Sequence, residues 1–317
     1  MKIAIVTPAA AHSRYGNRNT AVRWARMLRE LGHQVTVQQV WNGRSADLML
    51  ALHARRSHDS IVRYAERHPE RPLVLALTGT DLYRDIRDDI NAQESLDLAT
   101  RLVVLQDMGL RELAPRLRRK ADVVYQSSEL VRRMPPNRAC FEIVISGHLR
   151  EEKDPFRGAE ALSLLPPESR IRITHIGGAR DREMAAAANR WMKKESRYVW
   201  LGELVHRQAL ATLARARLML ISSWMEGGAN IVSEALTAGV PVIASKISGN
   251  IGMLGSSYRG YYPAGDARAL AKLLRKTESD AGFLATLRRQ CAARRPLISA
   301  TREKRSLRAI LAAANNM

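Results

Sequence analysis

Short apolar, β-branched runs recur along the chain, each followed by a polar loop and then by apolar positions spaced three and four apart. Residues 2–7 (KIAIVT) form the first run, and a polar loop containing Gly16 reaches to Thr20. Residues 21–31 then carry helical spacing that stops at Gly32, and HQVTVQQV (33–40) reads as a second strand. The alternation continues through LMLALH (48–53), LVLALT (73–78), RLVVLQ (101–106) and DVVYQ (122–126). Near-continuous apolar strands alternating with helices predict a parallel sheet covered on both faces. Residues 127–140 are polar and contain Pro135 and Pro136, which disfavour helix and strand alike, so the linker is placed there. A second set of strands follows at FEIVIS (141–146), RIRITHI (170–176), YVWLG (198–202), RLMLISS (217–223), PVIAS (241–245) and GYYPA (260–264).

This pattern predicts an α/β protein of two successive doubly wound domains, 1–135 and 136–300. Helices are expected at 280–294 and 302–315, with the segment 301–317 packing back on the first domain. In such sheets ligands bind beyond the carboxyl ends of the strands. The chemistry is therefore expected in the loops after the strands, facing a cleft between the domains.

Composition narrows the picture. A chain of 317 residues that is 46% hydrophobic can fill two cores, which argues against disorder and against a disulfide-held scaffold. Cys140 and Cys291 are too few for a zinc quartet or a CxxC pair, and they read as small buried apolar residues. The opening MKIAIVTP lacks the order of a signal peptide, and no apolar run approaches about 18 residues. A cytoplasmic protein without stable membrane insertion is expected.

Lys and Arg total 51 against 31 Asp and Glu, a net charge of +20, and Arg supplies 42 of the 51. Many of these arginines fall between apolar positions on helix faces, as in RWARMLRELGH. No nucleic-acid-binding motif is visible and aromatic residues make up only 5%, so no nucleic-acid partner is expected. A small polyanionic substrate would draw on the same field.

The most specific motif is EGGANIVSEA (226–235), continued by LTAGVPVIAS, after the strand RLMLISS and at the opening of a helix. Glycines before a helix let the backbone approach a ligand, and the helix dipole favours a phosphate there. Glu234, two turns into the helix, can accept paired ribose hydroxyl hydrogen bonds, and Glu226 in the loop can hold another polyol. With seven residues between the two acids, the motif resembles the E-x7-E signature of the GT-B glycosyltransferases that include sucrose and phosphatidylinositol mannosyl transferases. That resemblance implies two Rossmann-like domains, a nucleotide-sugar donor in the carboxy-terminal one and an acceptor in the amino-terminal one. A second match is SGHLREEKD (146–154). Relatives carry a Gly-Arg-Leu stretch with a Lys five residues after the Arg, the two cations gripping the diphosphate. Lys153 matches that Lys, His148 stands at the Arg position, and Arg150 can supply the guanidinium. Fixed cations can stabilise the leaving diphosphate in place of a metal. No Asp-x-Asp pair or His-Glu cluster is present, so neither metal nor other cofactor is expected. The donor set is thus Gly16, His148, Arg150, Lys153, Ser222, Glu226, Gly227, Gly228, Ala229, Asn230, Ile231 and Glu234.

Acceptor candidates lie in the loops after the amino-terminal strands: Arg14, Asn17, Arg18, Thr20, His53, Arg55, Arg56, Thr78 and Asp81. Their arginines favour an acceptor with phosphate-like charge. Lys153, Arg150, Glu226 and His53 are the residues expected to carry the reaction. The stretches GNRNTAVRWARMLRELGH, LALHARRS, LALTGTDLYRD, GHLREEKDPFR, WLGEL and SSWMEGGANIVSEALTAGVPVIASKISGN together resemble the selenosugar synthases of bacterial selenoneine biosynthesis. That narrower resemblance implies selenophosphate as acceptor and UDP-N-acetylglucosamine or UDP-glucose as donor. Phosphate, a phospholipid or an anionic sugar would ask for similar charge. A conventional transferase acting on a hydroxyl or lipid acceptor stays open beside it, as does a non-catalytic nucleic-acid or partner-binding module on the same scaffold. The sequence carries no signal of oligomeric state.

Overall fold

The computed structural model describes residues 1–11 and 16–315. It contains two all-parallel six-stranded sheets. The first joins β1 (Lys2–Val6), β2 (Gln34–Gln38), β3 (Leu48–Leu52), β4 (Leu73–Leu77), β5 (Arg101–Val104) and β6 (Ala121–Val123) in the order β2-β1-β3-β4-β5-β6. The second joins β7 (Phe141–Ser146), β8 (Ile171–Ile176), β9 (Tyr198–Trp200), β10 (Leu218–Ile221), β11 (Val242–Ser245) and β12 (Tyr261–Tyr262) in the order β12-β11-β10-β7-β8-β9. Both sheets reverse direction once, the first between β1 and β3 and the second between β7 and β10. These are the topological switch points, where diverging loops open a crevice at the carboxyl ends of the strands.

Burial explains why the central strands read as continuous apolar runs. Every residue of β3 and β4 is buried, with Met49 and Ala51 packing on one face and Leu48, Leu50 and Leu52 on the other. A fully buried Leu is worth about 1.5–3 kcal/mol, so such a strand has no polar positions to give up. The edge strands β2 and β6 are half exposed and correspondingly more polar. Asp181, Asp266 and Asp280 each cap a helix of the second unit, accepting from the backbone N–H three residues on at 2.8–2.9 Å. Each such cap contributes about 1 kcal/mol.

The chain forms two compact units. One comprises Met1–Gln126, Glu226–Gly228 and Ser299–Met317; the other comprises Ser127–Met225 and Ala229–Ile298. The final helix, Ala300–Asn315, completes the first unit's core with Leu307, Ile310, Leu311 and Ala314. Its fully buried Glu303 accepts from the Trp24 indole at 2.7 Å and from the Arg23 guanidinium at 3.1 Å, fixing it to the helix Gly16–Glu30. Among the described residues no helix is long and apolar enough to cross a membrane.

Candidate active site

In the second unit the switch point lies between β7 and β10, so the loops after these strands flank one crevice. They carry SGHLREEKD and SSWMEGGAN. The Ser222 hydroxyl sits 3.0 Å from the Lys153 carbonyl and 2.8 Å from that of Asp154, and the Trp224 N–H donates to the Glu152 carbonyl at 2.9 Å. Ser222 thus binds the two loops together.

His148, Arg150 and Lys153 share this region. His148 Nε2 stands 3.2 Å from Glu203 Oε2, and the same Glu203 oxygen accepts from the Gly178 N–H at 2.8 Å. Burial lowers the His148 pKa, Glu203 pulls it back up, and the positive charges of Arg150 and Lys153 push it down again. The Nε of Arg150 is buried without a hydrogen-bond partner. Asp154, directly after Lys153, takes a left-handed conformation with φ 45° and so turns the chain sharply at the end of this loop. Glu203 was not singled out in the sequence. It lies within WLGEL, but a lone acid after a strand carries no periodicity, and its partners are 25 and 55 residues away.

The helix Asn230–Ala238 opens at Ala229 without a side-chain cap, and the Ser233 hydroxyl on its second turn is buried and unpartnered. Ile231 and Glu234, on the same helix, are half buried. Glu226, Gly227 and Gly228 precede the helix, but they pack as part of the first unit. Gly227 is required there by close approach. A Cβ at this position would stand 2.2 Å from the Thr78 carbonyl oxygen, closer than any side chain can come. Glu226 is 7% exposed.

In the first unit the switch point lies between β1 and β3. Arg14, in the stretch that follows β1, lies outside the described residues. Gly16, Asn17, Arg18 and Thr20 form the first turns of the helix Gly16–Glu30. The Thr20 hydroxyl donates to the Gly16 carbonyl at 3.0 Å and accepts from the Gln126 amide at 2.7 Å. His53 follows β3 with φ 75°, an uncommon conformation for a side chain larger than glycine, and is 2% exposed. Its Nδ1 accepts from the Arg56 N–H at 3.3 Å, which leaves Nε2 to donate to the Thr80 hydroxyl at 3.1 Å. Asp81 is fully buried. One of its oxygens accepts from the Thr78 and Gly79 N–H groups at 2.9 Å, and the other accepts from the Ala54 N–H at 3.0 Å. Asp81 therefore clamps the loops after β3 and β4 together. Arg55 is half exposed and pairs with Asp89 at 2.9 Å and Asp85 at 3.8 Å, while Arg56 is exposed. Among the described residues, no group of three or more His, Cys, Asp or Glu stands where it could hold a metal ion.

Two all-parallel six-stranded sheets, each with one switch point, form the two-domain Rossmann-like architecture of the GT-B glycosyltransferase fold. The family model of group 1 glycosyl transferases matches residues 134–295, just over half of the chain, and the chain belongs to that family. No curated protein matches it. Among solved structures, HepE from Anabaena in complex with UDP and glucose aligns at a TM-score of 0.78 with 16% identity, covering 99% of this chain and 100% of the other. HepE in complex with UDP-glucose aligns at 0.80 with 16% identity, over 98% and 100%. Sucrose-phosphate synthase from Thermosynechococcus elongatus aligns at 0.76 with 16% identity, over 98% and 99%. At such identities the likeness is one of fold.

Proposed function

We propose that this glycosyltransferase moves a hexosyl unit from a UDP-sugar, without a metal and in the cytoplasm, and that its acceptor is selenophosphate. The observation that carries the donor half is the crevice between β7 and β10, where Ser222 ties the loop bearing His148, Arg150 and Lys153 to the loop that leads into Glu226 and Glu234. In this reading the three basic groups and the uncapped helix start at Ala229–Ile231 receive the diphosphate, Glu234 the ribose, and Glu226 with Gly227 and Gly228 the sugar. HepE, of the same fold, binds UDP and UDP-glucose.

The acceptor half rests on the narrower resemblance and on the basic residues Arg18, in the first turn of the helix Gly16–Glu30, and Arg56, after β3, with Asn17, Thr20, His53 and Thr78 as the further candidates. Arg55 divides its charge between two carboxylates, and Asp81 shapes the loops from within. In the transfer, a selenium lone pair forms a bond to the anomeric carbon as the bond from that carbon to the β-phosphate oxygen breaks. The electron pair leaves on UDP. Selenophosphate needs no base to become a nucleophile, so catalysis reduces to positioning and to stabilising charge on the departing diphosphate.

The test is mass spectrometry of products after incubation with UDP-glucose or UDP-N-acetylglucosamine, with and without freshly generated selenophosphate. A hexosyl selenophosphate, or the seleno-hexose left after water cleaves its Se–P bond, formed together with UDP only when selenophosphate is present is the expected result. UDP binding without selenium transfer would leave the donor half standing and send the acceptor search to hydroxyl groups.

A further inference from the structure

A groove of about 830 Å³ opens on the second unit, lined by side chains distinct from those placed in the donor crevice. Its apolar lining includes two tryptophans, Trp224 and Trp191, together with Leu164, Ala264 and Ala267. Trp224 is 48% exposed, although an indole of its size normally gains by full burial. It is nonetheless held in place. Its backbone N–H donates to Glu152, and its ring lies against Gly265, where a Cβ would come within 2.4 Å of it. Gly265 also has φ 79°, so both the backbone and the ring select glycine there. An exposed indole that shares the lining of a groove with a second tryptophan offers a stacking surface for a ligand.

The rim indicates which ligand. The Lys194 ammonium already lies 4.8 Å from the Trp191 ring centroid, and Arg157 is spent on Asp154 at 2.8 Å and Glu160 at 2.5 Å. Asp266 adds a carboxylate, and Arg268 brings the count of basic groups lining the groove to three against two acids. In a chain of net charge +20, this groove is close to balanced. Polyanions would meet Asp266 and Glu160, cations would meet Lys194 and Arg268, and a wholly apolar ligand would strip water from all of them. A neutral pyranose fits these demands: its C–H face stacks on an indole and its hydroxyls reach donors and acceptors of both signs. We propose that the groove is a saccharide-binding subsite that stacks a neutral hexose unit on Trp224, with Trp191 as the second contact. This goes beyond the transfer reaction and does not depend on the identity of its acceptor.

The test titrates the full chain with neutral tetrasaccharides of glucose, galactose and N-acetylglucosamine, by calorimetry and tryptophan fluorescence, with UDP binding measured in parallel. The expected result is saturable binding of at least one of them, unaffected by saturating UDP. Trp224→Ala should weaken it about tenfold, in line with the worth of one aromatic contact. Trp224→Phe, which keeps a ring on Gly265 and guards against misfolding, should retain most of it, and Trp191→Ala should fall between. UDP affinity should be the same in all three. Absence of saturable binding by every oligomer overturns the proposal, as does binding that persists undiminished in the double variant Trp191→Phe, Trp224→Ala. Tighter binding of tetramethylammonium or inorganic polyphosphate at the same tryptophans overturns it too.

Discussion

Both sheets are all-parallel with a single switch point, yet their crevices treat charge differently. In the first unit, acidic groups surround the histidine: Asp81 spends its oxygens on three backbone N–H groups, and Arg55 is matched by Asp85 and Asp89. In the second, burial is the main force holding His148 neutral, and Arg150 and Lys153 add to it against the pull of Glu203 at 3.2 Å. A crevice whose carboxylates take up its basic groups and backbone N–H groups is held firmly in shape, whereas one where basic groups act on one another favours an anion.

This contrast can be broken by substitution. Lys153→Ala should have the largest effect, a loss of roughly 10²–10³ in turnover of the kind seen when one electrostatic stabiliser is removed, with the melting temperature unchanged. Steady-state kinetics beside a thermal melt checks both parts. Asp81→Ala should do the reverse. It strands the N–H groups of Ala54, Thr78 and Gly79 and should destabilise the fold by about 3 kcal/mol in urea unfolding, while calorimetric UDP affinity stays the same.

A third expectation concerns pH. His175 is fully buried, 2.8 Å from the Tyr198 hydroxyl and 3.2 Å from the Gly147 carbonyl, and burial pushes its imidazole down to about 4. The unfolded chain takes up this proton near pH 6.5 and the folded chain only near 4. Stability is therefore full above pH 6.5 and should fall by about 3 kcal/mol as pH drops toward 4; His175→Gln should flatten that slope in urea titrations at stepped pH. The smallest effect belongs to Arg55. As a half-exposed ion pair its loss should change stability by at most about 1 kcal/mol, and Arg55→Ala should raise the acceptor KM less than Arg56→Ala does.

Much of the fold was legible because the central strands are buried on both faces, which leaves an unbroken apolar signature in β3, β4 and β10. Helix starts were less legible. The helix Gly16–Glu30 begins five residues before its apolar periodicity, since its first turn is polar and is held by the Thr20–Gly16 bond. At the site, the motif around Glu226 and Glu234 could be read because glycine, acid and helix start are neighbours in sequence. Glu203 and the clamp made by Asp81 could not, because their meaning lies in backbone N–H groups that only the folded chain brings near. Gly265 looks like any turn glycine until Trp224 is seen lying on it.

The helix Ala300–Asn315 has a consequence for how the protein is made. The sheet of the first unit is translated ahead of the second unit, but Leu307, Ile310 and Leu311, which seal one face of that sheet, leave the ribosome after it. The second unit has all its residues once position 298 has emerged. Synthesis therefore runs one way and completion the other: the half translated first waits, with Trp24 and Met27 uncovered on that face, for the final helix to arrive.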